Sequence, residues 1–179
     1  MSNTFYYHTP LGFLQIEEQN GALVSCVLTD EAAKAEPSSP ALTEAKAWLD
    51  RFFAGRDPGP VPPLAPKGTA FQKAVWEAIS RIPYGETVSY GSLAVFAGLS
   101  PRHARAVGGA LHRNPLLLFI PCHRAIGKDG SFTGFAAGIA RKEALLRLER
   151  TKDPSALVSP NDTPGSASSA MCSHDPVSV

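Results

Sequence analysis

The chain has 179 residues, of which 44% are hydrophobic, and a formal net charge of +1. This length and apolar content suffice for one large domain or two small ones with buried cores. No stretch approaches the roughly 20 apolar residues of a membrane-spanning helix, and the first residues lack the basic and apolar regions of a signal peptide. We therefore expect a cytoplasmic protein with no membrane partner.

The charge is distributed unevenly along the chain. Residues 1–65 carry eight acidic and four basic side chains, whereas residues 66–150 carry five acidic and twelve basic ones. A strongly basic segment within a nearly neutral chain indicates an anionic partner for that segment, although a solvated charged surface would give the same count. The three cysteines, Cys26, Cys122 and Cys172, match no disulfide or zinc spacing, which favours a reducing compartment.

The first 65 residues predict three strands and a helix. Short runs rich in aromatic and β-branched residues cover 5–8, 12–17 and 22–28, and Asn20-Gly21 between the last two is a strong hairpin signal. Apolar residues at helical spacing predict a helix over 41–53. Five prolines within 57–66 exclude a helix or a central strand, so we interpret this stretch as a semi-rigid linker at a domain boundary.

The basic segment predicts several short helices. The first begins near Thr69, the second follows a cap at Ser89 and covers 90–97, and the third begins at Pro101 after a cap at Ser100 and ends near residue 112. The last two, joined by a tight glycine-containing turn, are typical of a helix-turn-helix, a pair that many domains with no DNA partner also contain. The second helix of the pair carries Arg102, His103 and Arg105 near its beginning, where a recognition helix meets DNA.

A candidate nucleophile follows the next apolar run. Residues 116–120 predict a buried strand that leads directly to Pro121-Cys122-His123-Arg124. A thiol attacks only as the thiolate, and a neighbouring histidine or arginine lowers its pKa. Adjacent side chains on an extended segment point to opposite sides, so a water or a turn is needed for Cys122 and His123 to interact. Without further motifs, a buried structural cysteine is an equally good interpretation.

The rest of the chain predicts a loop, a helix and a tail. Residues 127–138 are rich in glycine and should form a loop. Residues 139–149 predict a final helix with apolar positions at Ile139, Leu145, Leu146 and Leu148. From residue 151 to residue 179 the composition is rich in Ser, Pro, Ala and Asp, which predicts a disordered tail that contains Cys172.

A series of motifs in the basic segment raises the significance of Cys122. They are Phe71-Gln72-Lys73-Ala74-Val75-Trp76, Ile82-Pro83-Tyr84-Gly85-Glu86-Thr87, Ser89-Tyr90-Gly91, Arg105-Ala106-Val107-Gly108, Asn114-Pro115, Ile120-Pro121-Cys122-His123-Arg124, Gly134-Phe135 and Lys142 with Glu149. In order and spacing this series resembles the O6-alkylguanine-DNA alkyltransferase family. The resemblance covers about residues 69–149; residues 1–65 agree only in general layout, and the tail not at all.

The resemblance implies an α+β fold and a repair reaction. It implies a ribonuclease H-like α/β domain over residues 1–65 and a mainly helical, winged helix-turn-helix-like domain over 66–150. The implied substrate is double-stranded DNA that carries O6-alkylguanine, with O4-alkylthymine as a further candidate, bound through the minor groove with the damaged base flipped out. The alkyl group would move irreversibly to Cys122, once per molecule, in a monomer without a cofactor.

The resemblance also implies residue roles. Cys122 would accept the alkyl group, His123 would remove the thiol proton through a water, and Glu149 would orient His123. Asn114 would brace the turn at Cys122, and Tyr90 would donate a proton towards the departing guanine. Arg105 would enter the base stack in place of the flipped nucleotide, and the residues expected to complete the DNA-facing set are Ala104, Ala106, Gly108, Arg102, Ser89 and Arg124.

Three positions depart from the family pattern. Ala125 stands where valine is commoner, Ala136 where many members have serine, and His103 where a smaller residue is frequent. Ala125, Ala136 and Phe135 are the expected substrate pocket, so the first two departures bear on which alkyl groups are accepted. Some members bind zinc in the N-terminal domain, but His8 and Cys26 are too few ligands, and we predict no metal.

Two other classes of protein compete with this interpretation. One is a DNA-binding module without chemistry, such as a regulator or an alkyltransferase-like lesion binder; the lesion binders have tryptophan where this chain has Cys122. The other is a thiol hydrolase built on Cys122 and His123, which would leave the basic helix pair with Arg105 unexplained.

Overall fold

Three antiparallel strands open the fold. The computed structural model describes residues 2–33 and 35–157, and β1 (Ser2–Thr9), β2 (Gly12–Gln19) and β3 (Ala22–Thr29) form one sheet in the order β1-β2-β3. Asn20 and Gly21 both have positive φ angles, 53° and 81°, which is the geometry of the two-residue turn that fits the twist of a hairpin. The hairpin prediction is therefore confirmed.

One helix covers the apolar face of this sheet. Helix α1 (Pro40–Phe53) begins after Ser39, whose side chain accepts a hydrogen bond from the Leu42 backbone N–H, and it buries residues at helical spacing such as Ala45 and Leu49. These pack with alternate sheet residues in one cluster of buried side chains that continues into the rest of the chain. The predicted strands and helix are confirmed, and each boundary agrees to within three residues.

The proline-rich stretch is attached to both α1 and the sheet. The Trp48 indole N–H donates to the Gly59 carbonyl at 3.1 Å. The Leu23 backbone accepts from Ala65 and donates to Pro63, each at 2.8 Å. As predicted, residues 57–66 contain no helix and no central strand. Several of their backbone groups bond instead to neighbouring elements.

Four further helices and a small sheet follow. They are α2 (Ala70–Ser80), β4 (Val88–Ser89), α3 (Tyr90–Phe96), α4 (Ala104–His112), β5 (Ala125–Ile126) and α5 (Ile139–Thr151), with β4 and β5 paired in parallel. Thr69 and Gln72 form a capping box on α2, and Ser89 caps α3. The third predicted helix does begin at Pro101 after the Ser100 cap, but its first turn is a 3-10 turn that precedes α4.

The prediction of a strand over 116–120 is wrong. These residues are mostly buried, but Ile120 N–H donates to the Leu116 carbonyl at 2.9 Å and Leu118 has a φ of 72°, so the chain turns back on itself. The segment has one extended attachment: Cys26 of β3 donates to Pro115 at 2.7 Å and accepts from Leu117 at 2.9 Å. A run of apolar residues predicts that a segment is buried but not its conformation, and this buried segment is a turn.

The predicted disorder does not begin at residue 151. Helix α5 includes Thr151, a 3-10 turn follows over Pro154–Leu157, and Leu157 is buried in the common core. Ile139, expected on the apolar face of this helix, is exposed. The remaining tail with Cys172 lies outside the described residues. Across residues 2–33 and 35–157, no helix is long and apolar enough to cross a membrane.

Candidate active site

Cys122 begins a 3-10 turn that covers Cys122–Arg124. This turn supplies the geometry that an extended segment could not, because three consecutive side chains enter the interior on one bend. Cys122 is 5% exposed and His123 is fully buried. The thiol is therefore almost fully shielded from bulk water.

Asn114 braces this turn through both ends of its amide. Its Nδ2 donates to Cys122 Sγ at 3.1 Å and to the Ile120 carbonyl at 2.8 Å, and its Oδ1 accepts from the Leu116 N–H at 2.9 Å. The amide thus connects the segment before the turn to the sulfur itself.

The thiol is protonated at rest. Burial raises the pKa of Cys122 to about 11, opposed by the hydrogen bond from Asn114, the positive charge of Lys142 and nearby backbone N–H groups. The opposing groups all favour a sulfur anion, so the surroundings stabilise a thiolate once a base has removed the proton. A base is therefore required next to Cys122.

His123 has the contacts of such a base. Its Nε2 lies 2.6 Å from Glu149 Oε1, and both side chains are fully buried. Its Nδ1 is buried and has no hydrogen-bond partner among the described residues. With Nε2 assigned as the donor to the carboxylate, Nδ1 carries the free lone pair that can accept a proton. Phe52 of α1 packs edge-on against the imidazole, with ring centroids 6.2 Å apart.

Glu149 is held as a carboxylate by three further donors. Arg124 donates to it through Nε at 3.0 Å and Nη2 at 3.0 Å, and the Gly85 N–H donates at 3.0 Å. Burial by itself raises the pKa of Glu149, but His123 and Arg124 outweigh that effect and lower the pKa to about 2. The carboxylate consequently stays charged across the physiological pH range and fixes the orientation of His123.

The placement of Arg124 corrects a prediction. We expected Arg124 on the DNA-facing surface, but it is 7% exposed. Its third guanidinium nitrogen, Nη1, donates to the Ile82 carbonyl at 2.7 Å. A guanidinium that is committed to Glu149 and to a backbone carbonyl in the interior does not contact a ligand at the surface. Arg124 belongs instead to the support of His123.

Tyr90 and Lys142 lie on another side of the site. The Tyr90 hydroxyl donates to the Thr133 carbonyl at 2.6 Å, and Lys142 Nζ donates to the same carbonyl at 2.9 Å and to the Tyr90 hydroxyl at 3.3 Å. Burial raises the pKa of Tyr90, so its phenol stays protonated at neutral pH. The glycine-rich loop (residues 127–138) is thereby attached to Tyr90 through Thr133.

Lys142 has no predicted role, although its spacing from buried residues of α5 is a signal in the sequence. Lys142 lies three and seven residues before Leu145 and Glu149, and all three are buried on the same face of α5. A lysine at helical spacing with buried positions is unusual and indicates a special environment. The same spacing would have supported Glu149, which the residues alone did not single out.

The predicted DNA-facing residues lie mainly on α4 and the 3-10 turn before it. Arg102, Arg105 and Ala106 are exposed, and Ala104 and Gly108 are half-buried. A Cβ atom at Gly108 would stand 3.8 Å from the Tyr90 ring, an ordinary van der Waals distance, so α4 lies directly beside Tyr90. Ser89 is half-buried, and its hydroxyl accepts from the Ser92 N–H at 3.1 Å as the cap of α3.

The predicted substrate-pocket residues occupy different environments. Phe135 is buried, and its ring centroid is 6.5 Å from that of His123. Ala125 is fully buried in β5 directly after the Cys122–Arg124 turn, whereas Ala136 is exposed in the glycine-rich loop. Within the described part of the chain, no three His, Cys, Asp or Glu side chains are grouped so as to hold a metal ion.

Comparison with known proteins identifies relatives of this arrangement. A family model described as 6-O-methylguanine DNA methyltransferase, DNA binding domain, matches residues 70–151. The constitutive methylated-DNA--protein-cysteine methyltransferase of Bacillus subtilis is 42% identical over 152 residues, which cover 79% of this chain and 92% of that protein. The enzyme of the same name from Methanosarcina barkeri is 52% identical over 106 residues, 59% of this chain and 66% of its own length.

Solved structures give the same result for the fold. The crystal structure of Mycobacterium tuberculosis OGT in complex with DNA superimposes with a TM-score of 0.78 at 36% sequence identity. The match covers 86% of this chain and 96% of the mycobacterial one. The mixed helix-and-sheet architecture described above is thus that of this structure as well, over both the N-terminal sheet and the helical part.

Proposed function

The chain belongs to the methylated-DNA--protein-cysteine methyltransferase family, and we propose that Cys122 is the cysteine that receives the alkyl group. Repair of DNA by alkyl transfer to a protein cysteine is the activity of the family. The assignment of atoms to steps is our proposal. The observation that carries it is the contact set of Cys122, in which Asn114 contacts the sulfur and the adjacent His123 is paired with Glu149.

The first step is removal of the thiol proton. His123 Nδ1 accepts it through one water, while Nε2 remains bonded to the Glu149 carboxylate. The resulting imidazolium is stabilised by that carboxylate, and the thiolate by the Asn114 amide and the positive charge of Lys142. Arg124 keeps Glu149 ionised throughout, so the base stays correctly oriented.

The second step is displacement at the alkyl carbon. Cys122 Sγ attacks the carbon attached to O6 of guanine, a carbon–sulfur bond forms, and the carbon–oxygen bond breaks with its electron pair on guanine. The hydroxyl of Tyr90 supplies a proton to the departing base, so that neutral guanine leaves. The product is a thioether, from which the cysteine thiolate is a poor leaving group; each molecule therefore reacts once and irreversibly, without a cofactor.

Access to the sulfur requires a base outside the duplex. An in-line attack brings sulfur and alkyl carbon into direct contact, which a stacked and paired guanine does not permit. We propose that α4 enters the minor groove through Ala104, Ala106 and Gly108, and that Arg105 fills the space left by the flipped nucleotide. Arg102 and Ser89 complete the DNA contact, and the flipped base is surrounded by Ala125, Phe135 and Ala136. We propose O4-alkylthymine as a further substrate of the same pocket.

The architecture suits this use. We propose that the helix pair α3–α4 with the β4–β5 pair is a winged helix-turn-helix-like domain, and that residues 1–65 form a ribonuclease H-like domain. The latter supports the site, because Phe52 packs on His123 and Cys26 bonds to the segment after Asn114. The protein is proposed to act as a cytoplasmic monomer on double-stranded DNA.

The proposal is tested by the intact mass of the protein after incubation with excess duplex DNA that contains O6-methylguanine. We expect a gain of one methyl group per molecule, located on Cys122 by peptide mapping, and no gain in Cys122→Ser. Cys26→Ser, a matched change at the other buried cysteine, should still gain one methyl group. Methylation at another residue, or turnover of several lesions per molecule, would overturn the assignment.

A second experiment tests the role of Arg105. Arg105→Ala should slow repair of duplex DNA by roughly 10- to 100-fold, while its reaction with free O6-benzylguanine stays within about twofold of that of the original protein. Arg113→Ala, an exposed arginine directly after α4, is the control. Equal losses with both substrates would mean that Arg105 does not assist base flipping.

A further inference from the structure

The surface at the beginning of α4 carries basic side chains and no acidic ones. Residues 87–128 contain no aspartate and no glutamate. Three neighbouring side chains of this stretch are exposed and positively charged or able to become so: Arg102, His103 and Arg105. No ion pair among the described residues includes any of them. A positive charge at this place therefore has no acidic side chain to pair with, and a bound anion would supply the counter-charge.

His103 is the member of this group to which the proposed function gives no role. It directly precedes Ala104, the first residue of α4, and occupies the cap position of that helix. Its side chain makes no capping hydrogen bond, so helix capping does not account for the residue. Its ring is exposed, so packing in the core does not account for it either. The side chain is therefore available to a partner outside the protein.

The imidazole of His103 is held in one orientation. Its Nδ1 lies 3.1 Å from the Ser100 carbonyl, which also accepts the His103 backbone N–H at 3.0 Å. A carbonyl oxygen only accepts, so we assign a hydrogen to Nδ1. No group among the described residues bonds to Nε2. This nitrogen is an acceptor in the neutral ring and becomes an N–H donor when the ring is protonated.

The elements that pack against this residue carry no competing acid. Helix α3 contacts the 3-10 turn before α4, and its one titratable side chain, Tyr90, bonds to the Thr133 carbonyl. Helix α4 itself contributes Arg105 and, at its far end, His112. The charged and titratable groups around His103 are thus basic, apart from a tyrosine hydroxyl that is engaged elsewhere.

We propose that His103 is a phosphate-binding residue, which donates Nε2–H as an imidazolium to a DNA backbone phosphate. The inference rests on the proposed function, which places α4 in the minor groove. Phosphates border that groove, and a side chain directly before the inserted helix lies where the helix passes them. The ring takes the proton from the solvent, so DNA binding is linked to proton uptake. A phosphate contact carries no sequence information, so damaged and undamaged DNA gain equally.

A histidine contact differs in its pH dependence from the arginine contacts beside it. A guanidinium stays charged at all physiological pH values, whereas imidazole changes its charge between pH 5 and pH 8. The affinity that Arg102 and Arg105 supply is therefore constant over this range. The affinity that His103 supplies increases as the pH falls, because only the protonated ring donates through Nε2. This difference separates the contribution of His103 from those of the two arginines.

The dissociation constant for a short undamaged duplex tests the inference in the full chain without methyl transfer. Fluorescence anisotropy at about 0.1 M salt should show binding about fivefold tighter at pH 6 than at pH 8, the value of roughly one added phosphate contact. The slope of log K against log salt concentration should be steeper by about one at pH 6. In His103→Gln both differences should disappear, with affinity at both pH values close to that of the unaltered protein at pH 8.

Two further variants make the result specific to the charge of His103. His103→Lys carries a permanent charge and should bind at pH 8 about as tightly as the unaltered protein does at pH 6. His112→Gln removes the other exposed histidine of α4 and should keep the full pH dependence. Affinity of the unaltered protein that is equal at pH 6 and pH 8 would overturn the inference. So would a pH dependence that persists in His103→Gln.

These results also separate the inference from the function on which it rests. If the unaltered protein is not methylated on Cys122, the proposed function fails. If it is methylated but His103→Gln retains the pH dependence of binding, only the role of His103 fails. Thermal unfolding of the His103 variants verifies that they are folded, and the pH dependence of the unaltered protein is measured without any variant.

Discussion

The two cysteines of the described chain are both buried, yet their surroundings differ in kind. Cys26 faces the apolar side of the N-terminal sheet, and burial alone raises its pKa. Burial also raises the pKa of Cys122 to about 11, but there an amide, an ammonium group and backbone N–H groups act against it. The same residue type at similar depth thus has no group that favours its anion in one region, and several such groups in the other.

This comparison shows that burial does not distinguish a structural thiol from a nucleophile. The distinguishing feature is a set of polar side chains whose burial destabilises a fold, so their presence in the interior indicates a function. Asn114 contacts the sulfur, and His123 and Arg124 both pair with the Glu149 carboxylate. If the interpretation is correct, removing members of this set should make the Cys122 region behave increasingly like the Cys26 region.

The largest effect is expected from Glu149→Gln. The change leaves Arg124 buried without a counter-charge and His123 without a fixed orientation, so methyl transfer should fall by about 100-fold or more. The free energy of unfolding at pH 7 should fall by roughly 3–5 kcal/mol. Single-turnover mass measurements and urea unfolding measure the two quantities. As a control, Glu143→Gln, which removes an exposed ion pair on the same helix, should change neither appreciably. Near-original transfer by Glu149→Gln would contradict the assigned role.

A related prediction concerns acid stability. The pKa of Glu149 is about 2 in the folded chain against an ordinary value of 4.5, so its stabilising contribution is present above about pH 4.5 and is lost as the pH falls towards 2. The loss should be on the order of 3 kcal/mol. Urea unfolding at pH 6 and pH 3 measures the free energy of unfolding of the original protein and of Glu149→Gln. The difference between the two free energies should be smaller at pH 3 than at pH 6. A difference that does not depend on pH would contradict this account.

A smaller effect is expected from Asn114→Ala. The Ile120 carbonyl and the Leu116 N–H lose a partner, which should cost about 1–3 kcal/mol of unfolding free energy. The sulfur loses its one side-chain donor, so methyl transfer should slow by about tenfold and require a higher pH. Asn3→Ala, which removes a side-chain bond to Glu18 in the N-terminal sheet, is the control and should retain the original rate. Unchanged transfer in Asn114→Ala would show that this amide is purely structural.

The smallest effect on chemistry is expected from Cys26→Ser. A hydroxyl in an apolar position should lower the free energy of unfolding by about 1–3 kcal/mol. The bonds of this residue to Pro115 and Leu117 are made by its backbone and persist, so the rate of methyl transfer should stay within about twofold. A clear loss of methyl transfer in a folded Cys26→Ser protein would show that the side chain of Cys26 affects the reactivity of Cys122.

Local patterns predicted most of the secondary structure. Asn20-Gly21 specified a hairpin because both residues tolerate positive φ, and Thr69, Ser89 and Ser100 specified helix beginnings because their hydroxyls accept backbone N–H groups. These signals act between residues close in the chain. The run over 116–120 failed as a predictor because an apolar composition reports burial and does not distinguish a strand from a buried turn.

The candidate site was predicted in part. The motif series led to five residues whose contacts the structure shows: Cys122 with Asn114, His123 with Glu149, and Tyr90 with the glycine-rich loop. Arg124 was assigned to the surface because an arginine in a basic segment usually faces solvent or an anion. Lys142 received no role because its partners, Tyr90 and Thr133, come from other elements.

By itself the sequence determined the helix caps, the hairpin turn and the uneven charge, since each depends on residue type and short spacing, and its motif series made Cys122 the candidate nucleophile. The tertiary structure alone decided that Arg124 and His123 share one carboxylate 25 and 26 residues away, and that a lysine lies buried beside a tyrosine 52 residues distant. The physical reason is that ionisation depends on which groups face each other after folding, and contacts across such separations leave no local pattern.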